Sequence, residues 1–128
     1  MKKVIDTAQA PAAIGPYSQG MIFDRLVFTS GQLPLVPETM AFPEGGIKEQ
    51  AVQSLANLKA VLEEAGAGID SVIKTTCFLG NMEDFAAFNE VYTEVFGTDA
   101  APARSCIQAG RLPKDALVEV EAIAYIKG

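Results

Sequence analysis

Residues 117–126, Leu-Val-Glu-Val-Glu-Ala-Ile-Ala-Tyr-Ile, alternate in a way that few architectures accommodate. Side chains along a strand point to opposite faces with a period of two. One face takes Val118, Val120, Ala122, Ala124 and Ile126, small and branched residues suited to packing under helices. The other takes Leu117, Glu119, Glu121, Ile123 and Tyr125. A solvated face does not call for so many apolar groups, and a core does not hold two carboxylates. A subunit interface that contains a polar site satisfies both facts.

The rest of the chain supplies the covering layer. Met21-Ile22-Phe23 and Leu26–Ser30 flank Asp24-Arg25 and read as a hairpin, with residues 2–6 as a short edge strand. Residues 10–16 and 35–46 are loops punctuated by proline and glycine. Ile47, Ala51, Leu55, Leu58, Leu62 and Ala65 recur at three- and four-residue steps, which predicts an amphipathic helix stopped by Gly66. Residues 72–79 are β-branched and aromatic in character and read as a strand. Asn81 is a candidate cap for a second helix, whose stripe is Phe85, Phe88, Val91, Tyr92, Val95 and Phe96 and whose end is Gly97. Residues 103–109 and 117–126 are two further strands. The order β-ββ-α-β-α-ββ predicts an α+β fold: a mixed sheet with both helices on one face.

With 128 residues the chain is expected to form a single domain, residues 1–128. Its 49% hydrophobic content builds a core without disulfide or metal staples. No apolar run suits a membrane helix, and Asp6 interrupts the start too early for an export signal, so a cytoplasmic location is expected. Cys77 and Cys106 form no CxxC pair and are expected to be free thiols. Net charge is −6 with scattered lysines and arginines, so no nucleic-acid partner is expected. The chain has no histidine, which excludes Ser–His–Asp and Cys–His catalysis and most zinc sites. Chemistry must come from carboxylates, tyrosine, arginine, backbone groups or water.

Few residues suit that chemistry. Strand alternation puts Arg104, Cys106 and Gln108 on one face, and a hairpin between the last two strands would bring Arg104 towards Glu119. Such a pair either neutralises charge or forms a site. Tyr17, in the rigid Gly15-Pro16-Tyr17-Ser18-Gln19-Gly20 segment, either presents its hydroxyl to a site or covers a core edge. Ser30-Gly31-Gln32 follows a strand, where glycine lets a ligand approach the backbone. Asn89, mid-helix, reads by itself as an exposed polar residue. Cys106 has no histidine to activate it and is expected only to line the cleft.

Together, residues 10–20, Thr29–Gln32, Pro102–Cys106, Arg111–Asp115 and Val118–Ala124 resemble the RidA (YjgF-like) family of reactive-intermediate imine deaminases over essentially the whole chain. The resemblance implies a chorismate-mutase-like fold, assembled as a barrel-like homotrimer with a ligand site in each cleft between subunits. It implies hydrolysis of 2-aminoacrylate-derived 2-iminopropanoate and of 2-iminobutanoate to 2-keto acids and ammonia, without cofactor or metal. The family's substrate arginine falls on Arg104, its water-associated glutamate on Glu119 and its site tyrosine on Tyr17. Ser30, Gly31, Asn89 and Cys106 match substrate-pocket positions. The alternative is a non-catalytic regulatory protein that binds small keto acids or other carboxylates through the same pocket.

Overall fold

The computed structural model describes residues 1–128. The elements are β1 (Lys3–Ile5), β2 (Gly20–Phe23), β3 (Leu26–Thr29), α1 (Ile47–Glu64), β4 (Val72–Leu79), α2 (Phe85–Phe96), β5 (Ala103–Gln108) and β6 (Val118–Tyr125). Asp24 takes the left-handed turn between β2 and β3 at φ 54°, a conformation aspartate tolerates. Gly66, at φ 86°, ends α1 as the sequence predicts. Asn81 does not cap α2. It caps the short 3₁₀ turn Met82–Asp84 instead, its side chain accepting from the Glu83 N–H at 2.9 Å.

The six strands form one mixed sheet in the order β1-β2-β3-β6-β4-β5, antiparallel except for β4 and β5. The α+β reading therefore holds, with the two helices on one face. The expected hairpin between the last two strands does not form, because β4 lies between them. The reason is the crossover through α2: a helix between two strands returns the chain parallel, so β5 lies beside β4. The remaining edge of β4 is then taken, antiparallel, by β6.

The covered face is the one the alternation predicts. Val118, Val120, Ala122 and Ala124 are buried beneath the helices together with Leu55, Leu58, Leu62 and Phe88. Truncating one of those leucines to alanine costs about 2–5 kcal/mol, lost transfer energy plus the cavity left behind. The other face is uncovered. Val4, Phe23, Leu26, Phe28, Ile107 and Tyr125 lie exposed on it. Leu26 is paired with Tyr125 and Phe28 with Ile123 across β3 and β6. No helix is long and apolar enough to cross a membrane.

Candidate functional site

The loop between β1 and β2 has no regular structure, yet Gln19 gives it one shape. This glutamine is 3% exposed. Its Nε2 donates to the carbonyls of Thr7 at 3.0 Å and Pro11 at 2.8 Å, and its Oε1 accepts from Thr7 N–H at 2.7 Å. A buried amide with its donors and acceptor satisfied fixes the backbone around it. Tyr17 projects from this braced loop half-exposed, its hydroxyl accepting from Ile14 N–H at 3.3 Å. The Ser30 hydroxyl donates to the Ser18 carbonyl at 2.5 Å, tying the end of β3 to the same loop.

The chain after β3 is held from behind by α1. Gln32 N–H donates to the Val120 carbonyl at 2.8 Å. Ser54 Oγ donates to the Gln32 carbonyl at 2.6 Å, and Asn57 Nδ2 reaches the carbonyls of Leu33 and Leu35 at 2.9 Å each. The outcome is a cavity of about 600 Å³ lined by Tyr17, Ser30, Gly31, Lys114, Glu119 and Glu121, with an apolar wall that includes Ile14, Leu33 and Leu35.

Glu119 is half-buried in that cavity. It has no hydrogen-bond or ion-pair partner within the chain. Burial pushes its carboxyl above the ordinary carboxylate range, and the Glu121 charge adds to the shift. Lys114 is held in the cavity lining by a turn in which Lys114 and Asp115 both take positive φ, at 58° and 59°. Arg111 braces that turn, its Nε donating to Asp115 Oδ1 at 2.7 Å.

Arg104 lies elsewhere. Its side chain runs under α2, where the guanidinium carbon sits 4.7 Å from the Tyr92 ring centroid and 5.5 Å from that of Phe85. Nη1 donates to Asn89 Oδ1 at 2.7 Å. Asn89 takes one of five N–H donors, and the rest of the planar fork stays free for a carboxylate. Cys106 follows two residues along the same strand, paired in register with Cys77; both are free thiols. Burial raises the pKa of both thiols, that of Cys77 to about 12. Neither is a thiolate near neutral pH, in keeping with Cys106 as a lining residue and not a nucleophile.

The structure therefore sorts the expected site residues into two groups. Tyr17, Ser30, Gly31 and Glu119 share one cavity. Arg104 and Asn89 meet beneath α2, with Cys106 next along β5. The approach of Arg104 to Glu119 does not occur within one chain. Arg104 is opposite Thr75 and Glu119 opposite Phe78, with β4 between them. Strand spacing and rise put their Cα atoms about 14 Å apart, and their side chains leave opposite faces of the sheet. Sequence reasoning did not name Lys114, Glu121, Phe85 or Tyr92 as site residues. A signal for the last two existed: Phe85, Asn89 and Tyr92 are spaced four and three residues apart on α2, so Asn89 interrupts the inward stripe.

Comparison with known proteins agrees with this architecture. The family described as Endoribonuclease L-PSP matches residues 7–126. A RutC family protein of Synechocystis is 51% identical over 125 residues, covering 97% of this chain and 96% of the relative. The chain belongs to the RidA/YjgF family. An Escherichia coli relative named "Putative reactive intermediate deaminase TdcF" is 48% identical over 126 residues, 97% of each chain. The crystal structure of E. coli TdcF with bound serine superposes with a TM-score of 0.91 at 46% identity, covering 98% of this chain and 99% of the other. The fold expected from the resemblance is thus the fold observed.

Proposed function

We propose that the protein hydrolyses small reactive 2-imino and 2-enamino carboxylates, such as 2-iminopropanoate and 2-iminobutanoate, to 2-keto acids and ammonia. The site is formed between copies of the chain in a homotrimer. The observation that carries the reading is the separation of a free arginine fork from an unpaired carboxyl of raised pKa, each built and braced, on opposite faces of one sheet. A second copy laid on the uncovered face brings one half against the other. Exposed apolar residues on that face support such docking. The name of the TdcF relative and the serine bound in its structure support a small amino-acid-like carboxylate as ligand.

In this mechanism Arg104 of one copy takes the substrate carboxylate through two parallel N–H donors, while Asn89 and the aromatic rings hold the fork in place. Glu119 of the neighbouring copy, with Tyr17, holds a water over the imine carbon. The water oxygen bonds to that carbon as its proton passes to Glu119. Glu119 returns that proton to nitrogen, the hydroxyl proton follows by the same carboxylate as the C–N bond breaks and the C=O bond forms, and ammonia leaves a 2-keto acid with both water protons on nitrogen. A raised pKa suits a group that must take the proton and give it back.

The family description names an endoribonuclease. RNA binding draws on cations that neutralise phosphates. The cavity here offers Lys114 against Glu119 and Glu121, in a chain of net charge −6 and no histidine. That balance favours the small carboxylate. The test is keto-acid release from 2-iminopropanoate generated in situ by an amino-acid oxidase. Wild type is expected to exceed the buffer rate and Arg104→Ala to lose that excess while staying folded. A fully active Arg104→Ala protein would remove Arg104 from the site.

A further inference from the structure

Gly31 has no conformational reason to be glycine, since its backbone lies outside the left-handed region. The reason is spatial. A Cβ built on Gly31 would lie 2.6 Å from Glu119 Cδ, 2.7 Å from Oε1 and 2.8 Å from Cγ. The carboxyl arm of Glu119 rests on the bare Cα of Gly31. Glu119 has no hydrogen bond or ion pair within the chain to hold it. Packing is the restraint the structure shows.

We infer that Gly31 is a positioning residue: the missing side chain is the seat that holds the Glu119 carboxyl in its half-buried place over the cavity. The inference rests on the reading of Glu119 as the group that handles water. The titratable and charged groups that line the same cavity are Glu121 on its own strand, Tyr17 from the loop before β2, and Lys114 from the turn before β6. None of them occupies the seat, so a change at Gly31 acts on Glu119 directly. Alanine at this position brings no backbone strain. The atoms it meets belong to one flexible side chain, so Gly31→Ala folds and Glu119 yields. Ordinary contact begins at 3.4 Å, so the carboxyl carbon must move about 0.8 Å, the difference between 3.4 and 2.6 Å. A displacement of that size at a reacting group lowers turnover on the order of 100-fold. Because the displaced carboxyl moves towards water, its pKa falls back towards the ordinary range.

The experiment compares wild type, Gly31→Ala, Glu119→Ala and the double variant. It reads keto-acid release from 2-iminopropanoate, thermal stability, and the Glu119 carboxyl titration by ¹³C NMR. The expected result is a Gly31→Ala protein melting at or above wild type, with turnover reduced on the order of 100-fold and a lowered Glu119 titration. The double variant should match Glu119→Ala, because the clash partner is gone. An unchanged Glu119 titration in Gly31→Ala overturns the inference. So does a double variant well below Glu119→Ala, which would mean that Gly31 acts through another contact. Failure of both Gly31 variants to fold would do the same. Should Glu119→Ala keep full activity, the catalytic reading falls while the titration still decides the seat.

Discussion

Mixing two inactive variants tests the divided site most directly. In the proposed mechanism Arg104→Ala removes the carboxylate anchor and Glu119→Ala removes the water-handling group. Each alone is expected to lower turnover by about 100-fold or more, the usual scale for losing a positioned proton acceptor or charged donor. The two residues leave opposite faces of the sheet with β4 between them. A site that needs both must therefore draw them from different copies. In a closed ring each site takes its arginine from one protomer and its glutamate from the next. When the variants assemble together at equal amounts, each half is intact with a probability of one half. About one quarter of the sites are then complete.

The assay is keto-acid release from 2-iminopropanoate after co-expression, or after unfolding and refolding the mixture, with each variant alone as control. Recovery to about one quarter of wild-type activity fits a site shared between copies in a ring. A mixture no more active than its components, with the assembly intact by light scattering, refutes the division of the site. So does a chain that stays monomeric in its active state.

Other consequences follow from the same contacts. Asn57→Ala strands the Leu33 and Leu35 carbonyls in a buried place and should cost roughly 1–3 kcal/mol in denaturant unfolding, with faster amide exchange in residues 32–36. The acid limb of the pH–rate profile should lie above the ordinary carboxylate range, because the proposed mechanism needs the Glu119 carboxylate and burial delays its ionisation. For stability the sign is opposite. The folded chain holds that proton more tightly than the unfolded one, so the group favours folding at low pH. That contribution is lost as pH rises from the ordinary carboxylate value through the raised one, and Glu119→Gln should remove this slope from a pH series of unfolding curves. Cys77, at about 12, should escape iodoacetamide in the folded protein at pH 8. Its thiolate fraction there is on the order of one ten-thousandth, and mass spectrometry of the native protein reads the labelling directly.

Much of the fold was legible because periodicity reports which face a residue occupies. The alternation in residues 117–126 separated Val118, Val120, Ala122 and Ala124 from Glu119 and Glu121, and the three- and four-residue steps of Leu55, Leu58 and Leu62 placed α1. Strand neighbours are a different matter. Nothing local to residues 103–109 states that β4 will come between them and β6; the crossover through α2 decides it, and that is a long-range event. The polar residues buried in α1 were also illegible. Ser54 and Asn57 look like helix surface until the loop at 32–35 lies against them. Tyr17 and Arg104 were named as candidates because motifs carried them, and the structure puts Tyr17 in the cavity with Glu119 and Arg104 beside Asn89 under α2. Glu121 and Lys114 were missed as site residues because their role depends on which cavity the turn at 113–115 faces.

The division itself has a physical rationale. Had Arg104 and Glu119 met within one chain, they would have formed a cross-strand ion pair. Such a pair stabilises a partly exposed surface by about 0–1 kcal/mol at most. It would also have occupied the guanidinium fork and pulled the Glu119 carboxyl below the ordinary range, against the upward push that burial and the Glu121 charge give it. Placing them on opposite faces leaves the fork engaged only by Asn89 and the carboxyl without a partner. In the proposed assembly, where two copies bring the halves together, a substrate carboxylate and a water stand between the charges. The electrostatic attraction that would have quenched both groups acts on the substrate instead.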